Sequence, residues 1–234
     1  MSPRPNSEVN PLLRPGRDYR GIAAGSFLLY PGLLAGAVID DNLAWSHTKP
    51  GTAAGLQLRP ELIAVRDTGK HKTTIYGLAD LNMYPSITRG NTVGVQAGIA
   101  HNWEITKDMV FKAHAGFVRS SNYVAGGFVT NAAGGAVSLV SPQTSDIAHG
   151  SVALQRTYGR VFTGASLKLV NTQYAALHTT GGIVTQNYRD NLLSELAVRA
   201  GVWMTPVLYG FAEVAANMRH YTNGSGTAQG QTVV

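Results

Sequence analysis

Cysteine is absent from this 234-residue chain. That excludes a disulfide framework, a thiol nucleophile and any cysteine-ligated zinc. Charge is scarce as well: Asp, Glu, Lys and Arg make up 14% of the residues, against about a quarter in ordinary domains. A charged helical bundle is therefore disfavoured, and with 44% apolar residues so is a disordered chain. No apolar run suffices for a membrane helix. The longest, 27–39, is interrupted by Pro31, Gly32 and Gly36, whereas a spanning helix needs about 20 apolar residues. Nor is it a signal sequence, because it starts well inside the chain and is followed by Asp40-Asp41-Asn42 rather than a small-residue cleavage site. With no signal peptide in it, the sequence reads as a mature chain or a piece of a longer one. The usual catalytic signatures are missing too: it contains neither Gly-x-Ser-x-Gly nor His-Glu-x-x-His.

What the chain does have is a rhythm. Segments of about 10–15 residues alternate apolar and polar side chains. In 73–84, Ile75, Ala79, Leu81 and Met83 interleave with Tyr76, Asp80, Asn82 and Tyr84. A period of two belongs to a β-strand with one greasy and one wet face. The same pattern places strands at 26–40, 52–66, 73–84, 91–105, 109–119, 149–158, 160–177, 191–204 and 207–221. Asp67-Thr68-Gly69-Lys70, Thr106-Lys107-Asp108, Gly159 and Thr205-Pro206 supply tight turns between them. Connections after even-numbered strands are short and those after odd-numbered ones are longer. An up-and-down barrel has tight periplasmic turns and long outer loops in this way. The mean hydropathy of −0.02 suits it, since a lumen hides polar groups.

The expected fold is thus all-β: an antiparallel up-and-down transmembrane β-barrel in a bacterial outer membrane. About nine strands are visible, an odd number, and no amphipathic strand closes the polar end at Thr232-Val233-Val234. A C-terminally truncated barrel is therefore expected. Residues 1–25, with Pro3, Pro5, Pro11 and Pro15, read as a flexible periplasmic leader, 26–221 as the barrel and 222–234 as a loop-like tail. The aromatics Tyr30, Trp45, Tyr84, Trp103, Tyr158, Tyr188, Trp203 and Tyr209 lie near strand ends, where interfacial girdles belong.

The wet face supplies the candidate pore lining: Gln57, Arg59, Glu61, Tyr76, Asp80, Asn82, Gln96, Lys112, His114, Lys168, Glu195, Arg199, Glu213 and Arg219. Both charge signs are present: across a narrow barrel they would pair and plug it, and in a wider one their transverse field would pass small polar solutes, so the outcome depends on strand number. The long connection 120–147 is expected to fold inward as a constriction. A His114–Asp80 pair facing the lumen would suit proton transfer, but a hydrogen-bond network that props the barrel open is the preferred reading of both residues. Asp40-Asp41-Asn42 lacks the spacing of a calcium loop and reads as a turn cap. Asn223-Gly224-Ser225 matches a glycosylation sequon in a loop. The net charge of +6 raises nucleic acid as a partner, but the basic residues do not cluster beyond Lys70-His71-Lys72 and the leader arginines.

The segment 25–33 (Gly-Ser-Phe-Leu-Leu-Tyr-Pro-Gly-Leu) followed by Asp40-Asp41-Asn42 resembles the opening of the porin-like outer-membrane β-barrels of proteobacteria. In that family a hydrophobic-Tyr-Pro-Ser-Leu strand precedes Tyr-Asp-Asp-Asn; here Gly32 replaces the serine and Ile39 the tyrosine. Leu58-Arg59-Pro60-Glu61-Leu62, the stretch from His71 through 75–80, and Phe211-Ala212-Glu213 with Asn217-Met218-Arg219 are similar in order, so that the likeness covers most of 20–221. The resemblance implies an outer-membrane barrel without catalytic residues or cofactors, with some relatives linked to exopolysaccharide export. Three functions follow as expectations. The first is a pore for hydrophilic solutes. The second is a barrel component of an exopolysaccharide secretion system, its leader docking a periplasmic partner. The remotest is a lipid-modifying outer-membrane enzyme. The expected partners are membrane lipid and lipopolysaccharide; the oligomeric state is left open.

Overall fold

The structure, a computed structural model, describes residues 21–40, 52–86, 90–122, 128–130, 136–139, 142–205, 207–222 and 230–233. Strands dominate: β1 (Ile22–Ala24), β2 (Phe27–Asp40), β3 (Ala53–Asp67), β4 (His71–Met83), β5 (Thr92–Thr106), β6 (Met109–Asn122), β7 (Phe128–Thr130), β8 (Ala136–Ser138), β9 (Gln143–Tyr158), β10 (Val161–Tyr174), β11 (Leu177–Thr179), β12 (Gly182–Val184), β13 (Asn191–Trp203), β14 (Tyr209–Tyr221) and β15 (Gly230–Val233). Among the described residues there is no α-helix, only one 3-10 turn at Asn187–Arg189.

Eleven strands form one antiparallel sheet in the order β1-β2-β3-β4-β5-β6-β9-β10-β13-β14-β15. Every neighbour is the next strand in the chain, apart from the hairpins β7–β8 and β11–β12, which are set into two connections as separate two-stranded sheets. One end of the sheet has connections of two to five residues; the other has connections of eight to twenty. Gly25, Gly69 and Gly159, at φ of 60°, 82° and 61°, provide the left-handed corners of three of the tight turns. At the opposite end a bridge between Leu139 and Thr179 joins the connection carrying β7–β8 to the one carrying β11–β12. Gln186, nearly fully buried there, accepts from Gln143 at 3.2 Å and from Arg189 at 2.5 Å.

The nine expected strands are the nine long ones. The sixth starts earlier than its apolar alternation suggests, at Gln143 rather than residue 149. Likewise β6 runs on to Asn122. The extra residues pair through polar groups, Arg119 with Asp146 and Ser121 with Thr144, and a strand that is polar on both faces leaves no periodic signal. Much of the expected loop 120–147 is therefore strand. The sheet also reaches beyond 26–221, because β1 and β15 add short edges. These two edges do not pair with each other, so the sheet is open. Residues 1–20, Asp41-Asn42, Trp45 and Asn223-Gly224-Ser225 lie outside the described residues.

Between β3 and β4 the ladder skips Arg59 and Pro60, although the register is the same on either side: Leu58 faces Leu81 and Glu61 faces Leu78. Proline has no N–H to give the ladder. Packing on one face follows a simple rule: large side chains lie over glycines. The Tyr76 ring covers Gly98, the His149 ring covers Gly116, Tyr84 covers Gly55 and Phe162 covers Gly201. A Cβ at Gly98 would sit 2.5 Å from the Tyr76 hydroxyl and 2.8 Å from the Ala115 carbonyl, while at Gly77, on the opposite face, it would meet nothing closer than 4.0 Å. Gly98→Ala is accordingly expected to cost about 1–3 kcal/mol by overpacking, and Gly77→Ala to be neutral or to stabilise by up to about 1 kcal/mol. Urea unfolding of the protein folded into lipid vesicles compares the two.

Candidate functional site

Antiparallel partners stay on the same face of a sheet, so the register sorts every strand residue into one of two sets. One face carries Leu56, Leu58, Ile75, Leu81, Val95, Ile99, Phe117, Val152, Leu167, Leu196, Val198 and Val214. All fourteen candidate lining residues fall on the other. Gln57 faces Asn82, Leu78 faces Gln96, Asp80 faces Gly94, Tyr76 faces Gly98, and Arg59 and Glu61 alternate with Gln57 along β3. Further round, Lys112 faces Asn102, His114 faces Ser151, Ser151 faces Lys168, Lys168 faces Glu195, Arg199 faces Glu213 and Leu193 faces Arg219.

The accessibility of the two faces is the reverse of a soluble sheet. Along β9, Val152 and Leu154 are exposed while Ser151, Ala153 and Gln155 between them are half-buried. On β13, Leu196 and Val198 are 53% and 54% exposed, and Glu195, Ala197 and Arg199 are sheltered. The few buried apolar residues, such as Ile63 and Phe162, sit on the polar face. Large apolar side chains that are exposed on the polar face, Leu28, Leu34 and Phe211, lie on β2 and β14, next to the open edges. Water would penalise such an arrangement; hydrocarbon rewards it.

On the polar face, three groups of expected residues come together. The Arg199 guanidinium donates from Nε to Glu213 Oε2 at 2.6 Å, with Nη2 equally close, and lies 4.6 Å from the centre of the Phe211 ring. Asp80 accepts from Gln57 at 3.5 Å and from Asn82 at 3.3 Å, and Asn82 also donates to Thr92. Tyr76 reaches across β5 to His114 Nε2, 3.0 Å away, and the His114 ring packs against that of His149 with centroids 4.9 Å apart. The glycines Gly98 and Gly116 make that crossing possible by leaving the floor of the face clear.

Other expected combinations do not form. His114 and Asp80 have different partners, so no His–Asp relay is assembled. Lys168 and Glu195 are direct cross-strand neighbours, yet they make no ion pair; neither do Lys112, Arg59, Glu61 or Arg219 among the described residues. The Arg59 Nε atom is shielded from solvent without a hydrogen-bond partner. The aromatic girdle is only partly as expected. Trp103 and Tyr158 are on the apolar face, whereas Tyr30, Trp203 and Tyr209 are on the polar one, and Tyr188 is in the 3-10 turn. Trp203 and Tyr209 pack with Phe162, at centroid distances of 6.1 and 5.9 Å. Neither this cluster nor His149 is among the expected residues: proximity to a strand end does not reveal that parity turns Trp203 and Tyr209 to the polar face, and His149 joins His114 only through the cross-strand register.

Comparison with known proteins agrees with this geometry. Residues 14–230 match the family described as "Putative beta-barrel porin 2". The chain belongs to that family. No curated protein and no solved structure matches it. Membership makes the chain a β-barrel protein of the porin kind and points away from enzymatic chemistry. For such a barrel, Val198→Arg on the apolar face of β13 is expected to cost about 2–4 kcal/mol, and Ala197→Arg on the polar face less than about 1 kcal/mol. Folding titrations into vesicles read both; equal costs would show that the faces are misassigned.

Proposed function

We propose that the chain forms a pore for small hydrophilic solutes in a bacterial outer membrane, with the fourteen polar-face residues lining it. The observation that carries this reading is the reversed accessibility along β9 and β13: there the apolar face is the exposed one and the polar face the sheltered one. The dimensions support it. The apolar stretch on each long strand spans about 6–10 residues, which at ~3.4 Å per residue and a tilt of ~40° is about 16–26 Å, close to the hydrocarbon band of outer-membrane barrels. The tight turns then face the periplasm and the long connections, with their two hairpins, face outward.

Selectivity follows from the lining. Arg59, Lys112, Lys168, Arg199 and Arg219 slightly outnumber Glu61, Asp80, Glu195 and Glu213, which favours anions weakly. The free lysines Lys112 and Lys168 set that preference more than Arg199, which Glu213 neutralises. In planar bilayers the protein is expected to conduct alone, and Lys112→Glu with Lys168→Glu is expected to move the reversal potential in a salt gradient toward cation selectivity. Folded protein that stays silent in the bilayer would overturn the pore and leave the export-component reading in its place.

A further inference from the structure

The apolar face is not uniformly apolar. At the tight-turn end it carries Arg66, His71, His101 and Arg156. His101 accepts from or donates to Thr73 at 2.9 Å and lies 3.5 Å from His71, whose ring stacks on Trp103 at 5.5 Å. Arg156 lies over the Tyr158 ring, 4.5 Å from its centre. Among the described strand residues of this face, Asp146 is the one carboxylate, and it sits at the far end of β9, paired with Arg119 at 2.6 Å. The basic groups at the tight-turn end therefore have no counter-charge on their own face.

Beside them the same face has a groove of about 470 Å³. Its floor is Ala113, Ala115 and Gly150, where neighbouring strands carry small residues side by side, and Ile99 and His101 wall one side and Leu167 the other. The lining is almost wholly hydrocarbon. From His101 on the groove wall the register runs through Thr73 to Arg66.

From this juxtaposition we propose that the apolar face holds a site for one anionic phospholipid, its acyl chain in the groove over Gly150 and its phosphate held over Thr73 by Arg66 and the His71–His101 pair. The inference rests on the reading of this face as lipid-facing. Apolar contact alone would hold any lipid. The uncompensated charge beside the groove selects an acidic headgroup, and Trp103, stacked on His71, fixes its depth at the interface. Arginine's fork suits a phosphate oxygen pair better than a point charge does.

The test is native mass spectrometry of the whole chain released from detergent, with phosphatidylglycerol and phosphatidylcholine of identical acyl chains in equal amounts. The protein is expected to retain one phosphatidylglycerol in preference, and Arg66→Gln to lower that preference by about fivefold. Gly150→Val fills the groove; its Cβ would meet nothing closer than the His114 carbonyl at 3.7 Å, so the strand accepts it, and retention of both lipids should fall. Far-UV circular dichroism and heat-dependent gel migration confirm that each variant is folded, and either variant decides if the other fails to fold. Equal retention of the two lipids, an unchanged preference in the arginine variant, or a second copy of the chain in place of lipid would overturn the site. A chain that stays monomeric in buffer without detergent would instead overturn the membrane reading beneath it.

Discussion

Inside hydrocarbon no water is available to a backbone N–H or C=O, so each one must find a partner within the protein. That constraint shapes everything described above. It explains why neighbouring long strands pair almost without interruption, and why the irregular segments and both small hairpins are confined to the ends of the sheet. It also singles out the places where pairing lapses. Pro60 opens a gap of two residues in the β3–β4 ladder. The edges are the larger lapse: β1 covers three residues of β2, and β15 covers four of β14. The remainder of β2 and β14 must be covered wherever the sheet meets lipid, and joining the two edges into a barrel is the solution that leaves no edge.

With the backbone satisfied, the two faces divide the remaining work. In a membrane the side chains of the apolar face gain by solvation in lipid rather than by packing on one another, which accounts for how few of the described residues are buried and how many large apolar ones are exposed. The polar face is held by another device. Its large rings lie flat over glycines, and its charges are partly neutralised in pairs such as Arg199–Glu213. Glycine thus serves as the recess into which Tyr76, His149 and Phe162 fold. Lys112, Lys168 and Glu195 on the same face make no ion pair among the described residues, and in the proposed pore these charges would set the field.

Much of this was legible in the residues. Period-two alternation fixes both a strand and its faces, which is why every candidate lining residue lies on one side and the nine long strands fall where expected. The failures have a common cause: the signal exists only where the two faces meet different solvents. Gln143–Tyr158 begins in residues polar on both sides, so its first six residues carry no rhythm. Ile22–Ala24 and Gly230–Val233 are too short to show any. Contacts between strands separated by a third, such as Tyr76 with His114, depend on register and on the glycine between them, and no single segment reveals that. The grouping of Arg66, His71 and His101 is likewise invisible in sequence, because three different strands supply its members.

The central claim is that the apolar face meets lipid and the polar face does not. Spin labels placed one at a time at residues 147–156 of β9, in vesicles, test it through collision rates with oxygen and with a water-soluble nickel complex. The account predicts a period of two: 148, 150, 152, 154 and 156 accessible to oxygen, and 147, 149, 151, 153 and 155 not. A reversed alternation, or none, would contradict it.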